Sequence, residues 1–519
     1  MVAGQAFCNR HFSISPNKKI PLQLIIFVSE KLPNMRLPKY FSAFMLFALI
    51  FFSQSCKKEN DLTDNNINNS NNNNNVNNNN NNSNPPPDTT WNVPWPQWIF
   101  HHWVWYDEST QQSAQQLVDD YLAHDIPVGA IIIDSPWETG YNTFEWDNSL
   151  YPDPQAMVDY FHSKNVRVLV WITGVVNTDV QPLYNDAKAE NYFMKTSASS
   201  GPGVVNWWKG DGSLIDWYNP DAVTWWKTLM DKTLNFGIDG WKCDGTDYYA
   251  VLSGYSPGQG GLVSRLDYSH SYYQLFHDYT RQKLGNDRIL MARPIDNYNL
   301  IDQGDDNFAF APKEITWSGW VGDQDATFDG LKAALNNMYH SAQYGYLAFG
   351  SDIGGYREDN NFPPNMRSKE VFIRWAQMGA FSPLMENGGG GEHRPWMFDQ
   401  QTEDIYRKLV KLRHGCLIPY LMTEAEKAYN ESRSMMTFIS KAAYSYTLGD
   451  DIFVSPFLVA GTDISVTFPA GSKWLYMYDE TKIYDGGATE NLSVPYDEFP
   501  VFFKEGSPLI DAIDFNSIQ

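Results

Sequence analysis

The sequence predicts an α/β protein made of a (β/α)₈ barrel followed by a C-terminal antiparallel β-sandwich. Over about 300 residues from residue 91, short apolar runs alternate with amphipathic stretches, which favours a parallel sheet covered by helices. Eight of these runs have strand length, and eight units fit a closed barrel better than an open sheet. After about residue 425, short runs of alternating polarity separated by turn residues replace this pattern, which is typical of a sandwich.

The predicted elements follow from these patterns. The strands are residues 98–105, 129–137, 166–173, 240–244, 288–294, 315–323, 346–354 and 381–387. Helical periodicity covers residues 113–124, 155–164, 222–236, 268–284 and 330–344. Sandwich strands are expected in residues 437–445, 451–459, 464–468, 474–477 and 498–503. We therefore place the barrel at residues 91–425 and the sandwich at residues 426–519.

Polar or aromatic side chains stand at the ends of six predicted barrel strands. They are Asp134, Trp171, Asp244, Arg293, Asp323 and Asp352. The carboxyl ends of all barrel strands converge on one face, so these residues are expected to meet there. A single Asp at such a position serves equally well as a helix N-cap. Six together favour a functional site.

The composition excludes several classes of protein. With 519 residues, 43% of them hydrophobic, the chain can bury at least one large core. A formal net charge of −23 argues against nucleic acid as a partner, because phosphate binding needs a basic surface. The aromatic content of 15% suits either stacking on sugars or large cores, and composition alone does not decide between them.

The first 56 residues have the pattern of an export signal. Basic residues Arg36 and Lys39 precede an apolar run at residues 41–52, which is short for a membrane-spanning helix, and small residues lead to Cys56. This resembles a bacterial lipobox, in which the cysteine is acylated; a core helix with an incidental cysteine is the alternative. We expect residues 1–56 to be a presequence with Met35 as the true start, and the protein to be exported and lipid-anchored at Cys56 in the bacterial cell envelope.

A polar segment follows the predicted anchor. In residues 65–84, 16 of 20 residues are Asn, and three prolines come next, so residues 57–90 are expected to be a disordered linker. The protein would then contact the membrane through the lipid alone, and the sequence does not indicate which side of the outer membrane it faces. With Cys8 in the presequence and Cys56 lipidated, Cys243 and Cys416 are the remaining candidates for a disulfide bond.

Two carboxylates in contrasting settings form a candidate catalytic pair. Asp244 ends a short strand, with Lys242 on the same face and Asp247 three residues on, and such neighbours suit an ionised nucleophile. Asp323 lies in a Trp- and Gly-rich loop whose low polarity would raise its pKa, as a general acid requires. A cleft lined by Trp171, Trp317 and Trp320 would suit a sugar. Carboxyl groups about 5 Å apart would give retention of configuration.

At these residues the sequence resembles glycoside hydrolase family 31, the retaining α-glycosidases. The matching motifs run in order along the chain: ID at 133–134, YPDP at 151–154, VWI at 170–172, DWYNP at 216–220, DG at 239–240, WVGD at 320–323, SDIGG at 351–355, RWAQMGAF at 374–381 and LGDDIFVSP at 448–456. The resemblance implies that Asp244 is the nucleophile and Asp323 the acid/base. It also implies that the non-reducing sugar contacts Asp134, Trp171, Arg293, Trp320 and Asp352.

The sequence departs from the family pattern at two places. Arg293 precedes Asp323 by more residues than the arginine of the better-known members. The segment that usually carries an arginine and a sugar-binding histidine begins at Met385 and reads MENGGGGEHRPW. Substrate hydroxyl contacts are expected there from Glu386, Asn387 or His393, and from Lys242 and Asp247 on the nucleophile segment.

The resulting hypothesis is an exo-acting retaining α-glycoside hydrolase that releases a non-reducing-end sugar, with α-glucosides or α-galactosides favoured. The substrate is an oligosaccharide or glycoside, and the mechanism requires no cofactor and no metal. An α-transglycosylase and an α-glucan lyase on the same fold are alternatives. A non-catalytic surface glycan-binding lipoprotein is an alternative of a different class. The oligomeric state is left open.

Overall fold

The structure, a computed structural model, describes residues 91–196, 201–245, 255–259, 261–293, 295, 311–358 and 367–513. The predicted presequence with Cys56, the predicted linker at 57–90 and the predicted site residue Asp247 lie outside these ranges.

The first part of the described chain alternates strands and helices, as predicted. Its strands are β1 His102–Tyr106, β2 Ala130–Ile133, β3 Arg167–Ile172, β4 Val175–Asn177, β5 Val205–Trp207, β6 Gly210–Leu214, β7 Gly240–Cys243, β8 Tyr255–Gly258, β9 Gly261–Ser264, β10 Ile289–Ala292, β11 Ser318–Gly319 and β12 Met385–Asn387. The helices are α1 Gln111–Ala123, α2 Pro154–Ser163, α3 Leu183–Ala189, α4 Pro220–Leu234, α5 Arg265–Leu284, α6 Phe328–Tyr344, α7 Lys369–Ala380, α8 Gln400–Leu412 and α9 Ile418–Asn430.

Seven parallel strands form the barrel wall in the order β11-β10-β7-β3-β2-β1-β12. The eighth position is filled by residues 349–353, which form isolated bridges rather than a regular strand. Gly350 N donates to Gly319 O at 2.9 Å on one side, and Ile353 N donates to Glu386 O at 3.0 Å on the other. A Cβ on Gly350 would lie 2.3 Å from Leu384 O, so this close approach requires glycine. The predicted closed (β/α)₈ barrel is confirmed.

Local sequence explains where the outer helices begin. The side chains of Asp153 and Asp399 accept hydrogen bonds from the first turns of α2 and α8, and Thr327 does the same for α6. None of the four aspartates at the strand ends caps a described helix. The capping interpretation therefore applies to other aspartates of the chain.

The C-terminal domain consists of antiparallel strands. They are β13 Met436–Ser440, β14 Ser445–Leu448, β15 Ile452–Val454, β16 Asp463–Thr467, β17 Lys473–Tyr476, β18 Asp479–Asp485, β19 Thr489–Ser493 and β20 Val501–Lys504, and a short helix α10, Leu509–Ala512, follows. Six strands form a sheet in the order β13-β14-β15-β20-β17-β18, and β16 pairs with β19. Aromatic residues such as Phe453, Phe468 and Phe502 fill the space between the sheets.

Two details of the predicted C-terminal half need correction. Helix α9 runs across the predicted boundary between residues 425 and 426, and the first strand begins at Met436. Predicted run 437–445 includes the turn between β13 and β14, while β18 and β19 were missed because their side chains are mostly exposed and polar. No disulfide joins Cys243 and Cys416, the two candidates named from the sequence. The helices in the described part of the chain lack the length and apolar character of a membrane span.

Arg413 joins three parts of the barrel through backbone carbonyls. It is fully buried, and its guanidinium donates to Phe100 O, Ala380 O, Ser382 O and Pro383 O. Replacing it by leucine would leave these acceptors without a donor in the core. We therefore expect Arg413→Leu to lower the free energy of unfolding by roughly 3 kcal/mol or more, measured by chemical denaturation.

A matched control is Arg433→Leu, because Arg433 is partly exposed and pairs with Glu431 on the surface. Its effect should stay within about 1 kcal/mol. Equal losses in the two variants would show that the buried hydrogen bonds of Arg413 are not the cause.

Candidate active site

A pocket of about 250 Å³ opens at the carboxyl ends of the barrel strands. Eight residues predicted from the sequence line it: Asp134, Trp171, Lys242, Asp244, Arg293, Trp320, Asp323 and Asp352. They lie at the ends of six positions of the barrel wall, so the convergence comes from parallel strands that end on one face.

Asp244 directly follows β7 and is held from three directions. Its Oδ1 accepts hydrogen bonds from Arg293 Nη2 at 3.0 Å and from the backbone N of Gly245 at 2.9 Å. Its Oδ2 accepts a longer bond, 3.3 Å, from Trp171 Nε1. Trp171 is itself fixed, because its backbone carbonyl accepts from Trp137 Nε1 at 2.7 Å. The carboxylate is therefore fixed in orientation, with Oδ2 the less engaged oxygen.

Arg293 places the two candidate catalytic carboxylates beside each other. The same Nη2 that binds Asp244 lies 3.5 Å from Asp323 Oδ1. Asp244 Oδ1 and Asp323 Oδ1 lie 3.0 and 3.5 Å from the same nitrogen, so the distance between these two oxygens cannot exceed the sum of the two values. That sum equals the lower end of the ~6.5–9.5 Å range found in inverting enzymes. This upper limit is compatible with the shorter separation of a retaining pair. Gly322 permits the approach, because a Cβ there would lie 3.0 Å from Arg293 Nη1.

The setting of Asp323 differs from the apolar one expected from its Trp- and Gly-rich loop. Its side chain is 21% exposed and faces the Arg293 guanidinium. Trp320 lines the pocket under Arg293, whose guanidinium carbon lies 4.9 Å from the indole centre. Trp317 does not line the pocket: it packs outside the barrel wall against Trp95 and under Arg281.

Lys242 is a buried cation surrounded by carboxyl groups. Its Nζ donates to Asp134 Oδ2 at 2.8 Å and lies 3.6 Å from the ring centre of Trp105. Burial alone would lower its pKa, but the charges of Asp134, Glu386 and Asp352 outweigh this and raise the pKa above the usual value. The ammonium group therefore stays charged and neutralises part of the acidic pocket floor.

Asp352 and Glu386 are neighbouring buried carboxyl groups. They face each other across a parallel bridge, and both are almost completely inaccessible. Burial raises the pKa of Asp352 well above its usual value, and the charge of Glu386 adds to the rise. Burial also raises the pKa of Glu386, to about 7, with Lys242 opposing the rise and Asp134 adding to it. Glu386 lies behind the pocket wall and does not line the pocket.

Asn387 and His393 lie away from the pocket. The Asn387 amide donates to Tyr121 Oη and to His393 O, and the His393 ring contacts Ile353 O and Gly390 O. Both side chains are buried. The structure therefore gives them backbone-holding contacts, in place of the substrate contacts expected from the sequence.

Several pocket residues were missed by the sequence analysis. They are Trp105, Asp107, Ser135, Trp208, Lys209, Tyr356 and Arg357. Asp107 follows β1 just as Asp134 follows β2, so the strand-end criterion would have found it. Tyr356 Oη donates to Asp107 Oδ2 at 3.1 Å, and burial raises the pKa of Asp107 to about 6. Trp208 and Lys209 come from the β5–β6 turn, for which the sequence offers no comparable signal.

Comparison with known families decides the classification. Residues 93–424 match the Glycosyl hydrolases family 31 TIM-barrel domain, and residues 428–509 match the Glycosyl hydrolase family 31 C-terminal domain. The chain belongs to glycoside hydrolase family 31. The resemblance seen in the strand-end motifs is thereby confirmed.

Relatives within glycoside hydrolase family 31 are distant. An α-xylosidase, XylQ, of Lactiplantibacillus pentosus is 24% identical over 443 residues, covering 80% of this chain and 54% of its own. A 1,3-α-isomaltosidase of Kribbella flavida is 23% identical, and the match covers 78% of this chain and 60% of the isomaltosidase. The structure of a Flavobacterium johnsoniae dextranase with glucose matches with a TM-score of 0.70 at 22% identity, and the match covers 79% of this chain and 52% of the dextranase chain. The chain thus spans about half the length of the curated relatives it matches.

The buried carboxyl pair of this family 31 chain predicts a pH effect on stability. Glu386 has a pKa of about 7 in the fold against a usual 4.5, so the folded state holds its proton more tightly. The stability due to that proton is complete below pH 4.5 and is lost as the pH rises through about 7. We expect Glu386→Gln to gain stability relative to the native protein over this interval, measured by denaturation at several pH values.

Glu190→Gln is the control, because Glu190 is exposed at the end of α3. Its stability should run parallel to that of the native protein at every pH. If the stability of Glu386→Gln also ran parallel to that of the native protein at every pH, the Glu386 carboxyl group would not change its ionisation between the folded and unfolded states.

Proposed function

We propose that this chain is an exo-acting retaining α-glycosidase that hydrolyses α-linked glycosides through a glycosyl-aspartate intermediate. The observation that carries the proposal is the placement of Asp244 and Asp323 around one guanidinium nitrogen of Arg293. Membership of glycoside hydrolase family 31 supports it, since relatives in that family include an α-xylosidase and a 1,3-α-isomaltosidase.

In the first step, Asp244 attacks the anomeric carbon of the sugar bound in the pocket. The less engaged Oδ2 supplies the electron pair, while Arg293 and the Gly245 amide hold Oδ1. The bond from the anomeric carbon to the leaving oxygen breaks, and Asp323 gives that oxygen its proton. The products are a covalent glycosyl ester of Asp244 and the released alcohol or shortened saccharide.

In the second step, the deprotonated Asp323 takes a proton from water. The resulting oxygen nucleophile attacks the anomeric carbon and releases Asp244 as a carboxylate. Two inversions at the same carbon give overall retention. Because Asp323 is partly exposed, water can reach it without a large rearrangement.

The pocket dimensions favour exo action on a single terminal sugar. A volume of about 250 Å³, closed at its base by Lys242 and the surrounding carboxyl groups, suits one sugar ring. Hydroxyl groups would bind Asp134, Asp352 and the Lys242 ammonium, with Trp171 and Trp320 at the walls. Within this class we propose an α-glucoside or α-galactoside as substrate.

We also propose that the protein is exported and anchored by a lipid on Cys56. The proposal rests on the order of basic residues, apolar run and cysteine in the sequence. The Asn-rich segment that follows has little apolar surface to bury, which suits a tether between the membrane and the catalytic barrel.

The two carboxylates should differ in their effects on turnover. We expect Asp244→Asn to lose activity on all substrates, with kcat reduced by roughly 10⁴-fold or more. Asp323→Ala should lose most activity on poor leaving groups and retain more on activated aryl glycosides, which leave without a proton. The measurement uses aryl α-glycosides of glucose, galactose, xylose, N-acetylgalactosamine and sulfoquinovose, with NMR detection of the anomer first released.

Asp159→Asn serves as the control for folding and assay, because Asp159 lies exposed on α2. Native-like turnover by Asp244→Asn would refute the assigned nucleophile. Release of the opposite anomer would refute retention, and an unsaturated product absorbing in the ultraviolet would identify a lyase. Transfer of sugar to an added acceptor at the expense of water would identify a transglycosylase.

The anchor makes a separate prediction. Cys56→Ser removes the acylated thiol, so the protein should leave the membrane fraction and lose incorporation of labelled fatty acid. Cys416→Ser is the control, because Cys416 lies in the folded part of the chain, far in sequence from the predicted anchor. Membrane retention of Cys56→Ser equal to that of the native protein would contradict lipid anchoring at this residue.

A further inference from the structure

A second and larger concavity lies beside the catalytic pocket. It has a volume of about 670 Å³, against about 250 Å³ for the pocket, and we call it the lateral groove. One wall is the loop after β2, which includes Tyr141 and Glu145. The other wall comes from the insertion after β3, which includes Asn177, Asp179 and Asp186.

The lateral groove adjoins the catalytic pocket. Lys209 lines both, and a small cavity of about 40 Å³ shares Ser135 and Trp171 with the pocket and Tyr141 with the groove. Ser135 Oγ donates to Tyr141 Oη at 3.2 Å, while the Ser135 backbone N donates to Asp134. The groove therefore begins where the pocket ends, on the side of Trp171.

The groove walls are fixed by buried hydrogen bonds. Trp207 Nε1 donates to Asn177 Oδ1 at 2.7 Å, which holds the insertion. In the opposite loop, the buried Glu138 carboxyl accepts from the backbone N of Asn142 and of Phe144, both at 2.7 Å. The Asn142 amide then donates to Val175 O, which joins the two walls. A ligand would meet a preformed surface and pay little to order it.

The chemistry of the lateral groove suits a neutral, hydroxyl-rich ligand. Tyr141 presents an aromatic ring supported edge-on by Trp171 and Trp207, with the Lys209 ammonium 5.7 Å from its centre. Asp179 and Asp186 form no side-chain hydrogen bond or ion pair within the described part of the chain, and carboxylates are strong acceptors for hydroxyl groups. The mixed charges argue against a polyanion, which would need an excess of cations.

We propose that the lateral groove binds the leaving-group portion of an α-linked oligosaccharide whose terminal sugar occupies the catalytic pocket. This inference rests on the proposed glycosidase function and names its substrate class as oligosaccharides longer than a disaccharide. The terminal glycosidic bond then lies at the junction near Trp171, and the following sugars extend over Tyr141 toward Asp179 and Asp186.

The test compares substrates of increasing length in the full-length protein. We expect kcat/KM to rise by roughly tenfold from the disaccharide to the tetrasaccharide of the sugar that the enzyme releases, because added groove contacts strengthen transition-state binding. The double variant Asp179→Ala/Asp186→Ala should lose most of this gain. Its kcat/KM on the aryl α-glycoside of the same sugar should stay within about twofold of the native value, because that substrate does not reach the groove.

Asp463→Ala/Asp497→Ala is the matched control, because these carboxylates are exposed on the C-terminal domain. It should keep both the aryl activity and the gain with length. The groove assignment would be overturned if the native protein hydrolysed the aryl α-glycoside but showed no rise in kcat/KM with substrate length. It would also be overturned if Asp179→Ala/Asp186→Ala kept that rise; in both cases the proposed function would stand. No hydrolysis of any α-glycoside by the native protein would instead refute the proposed function.

Discussion

The pocket depends on two buried cations that hold several carboxyl groups together at the mouth of the barrel. Arg293 contacts Asp244 and Asp323, and Lys242 faces Asp134, Asp352 and Glu386. Without these cations, so many carboxyl groups in a site of low polarity would repel one another or take up protons. Arg293 holds the proposed catalytic pair, and Lys242 holds the carboxyl groups at the base of the pocket. In the proposed mechanism, this division separates the reacting groups from those that would bind the sugar.

This division also gives a physical account of the departure from the family pattern. The segment that begins at Met385, which departs from the family pattern, carries Glu386, and this carboxyl group adds a negative charge beside Asp352. The raised pKa of Glu386 and the facing Lys242 are two ways in which the fold accommodates that charge. Asn387 and His393, next to it, hold the Gly-rich loop through backbone contacts. The rebuilt segment thus contributes to the pocket from behind its wall.

The strand-end residues could be predicted because apolar strands and their polar ends leave a local signal in sequence. That signal placed Asp134, Asp244, Asp323 and Asp352 in one pocket, and it would also have found Asp107. It could not reveal Trp208 and Lys209, whose position depends on the path of a long insertion. Nor could it distinguish Trp317 from Trp320, because the two rings leave a short, irregular strand on opposite sides of the wall. Side chains whose placement depends on tertiary packing, such as Asn387, escaped the sequence analysis.

The seam of the barrel has a consequence for how the site fluctuates. Residues 349–353 close the wall through isolated bridges, whereas the other seven positions are strands of the sheet, of which β11 has only two residues. Local opening of a structure begins where few hydrogen bonds must break at once. Asp352 therefore sits on the part of the wall with the least cooperative support, while its neighbour Glu386 sits on a regular strand. Local opening of this segment would change the distance between these two carboxyl groups and, with it, the contribution of the Glu386 charge to the raised pKa of Asp352.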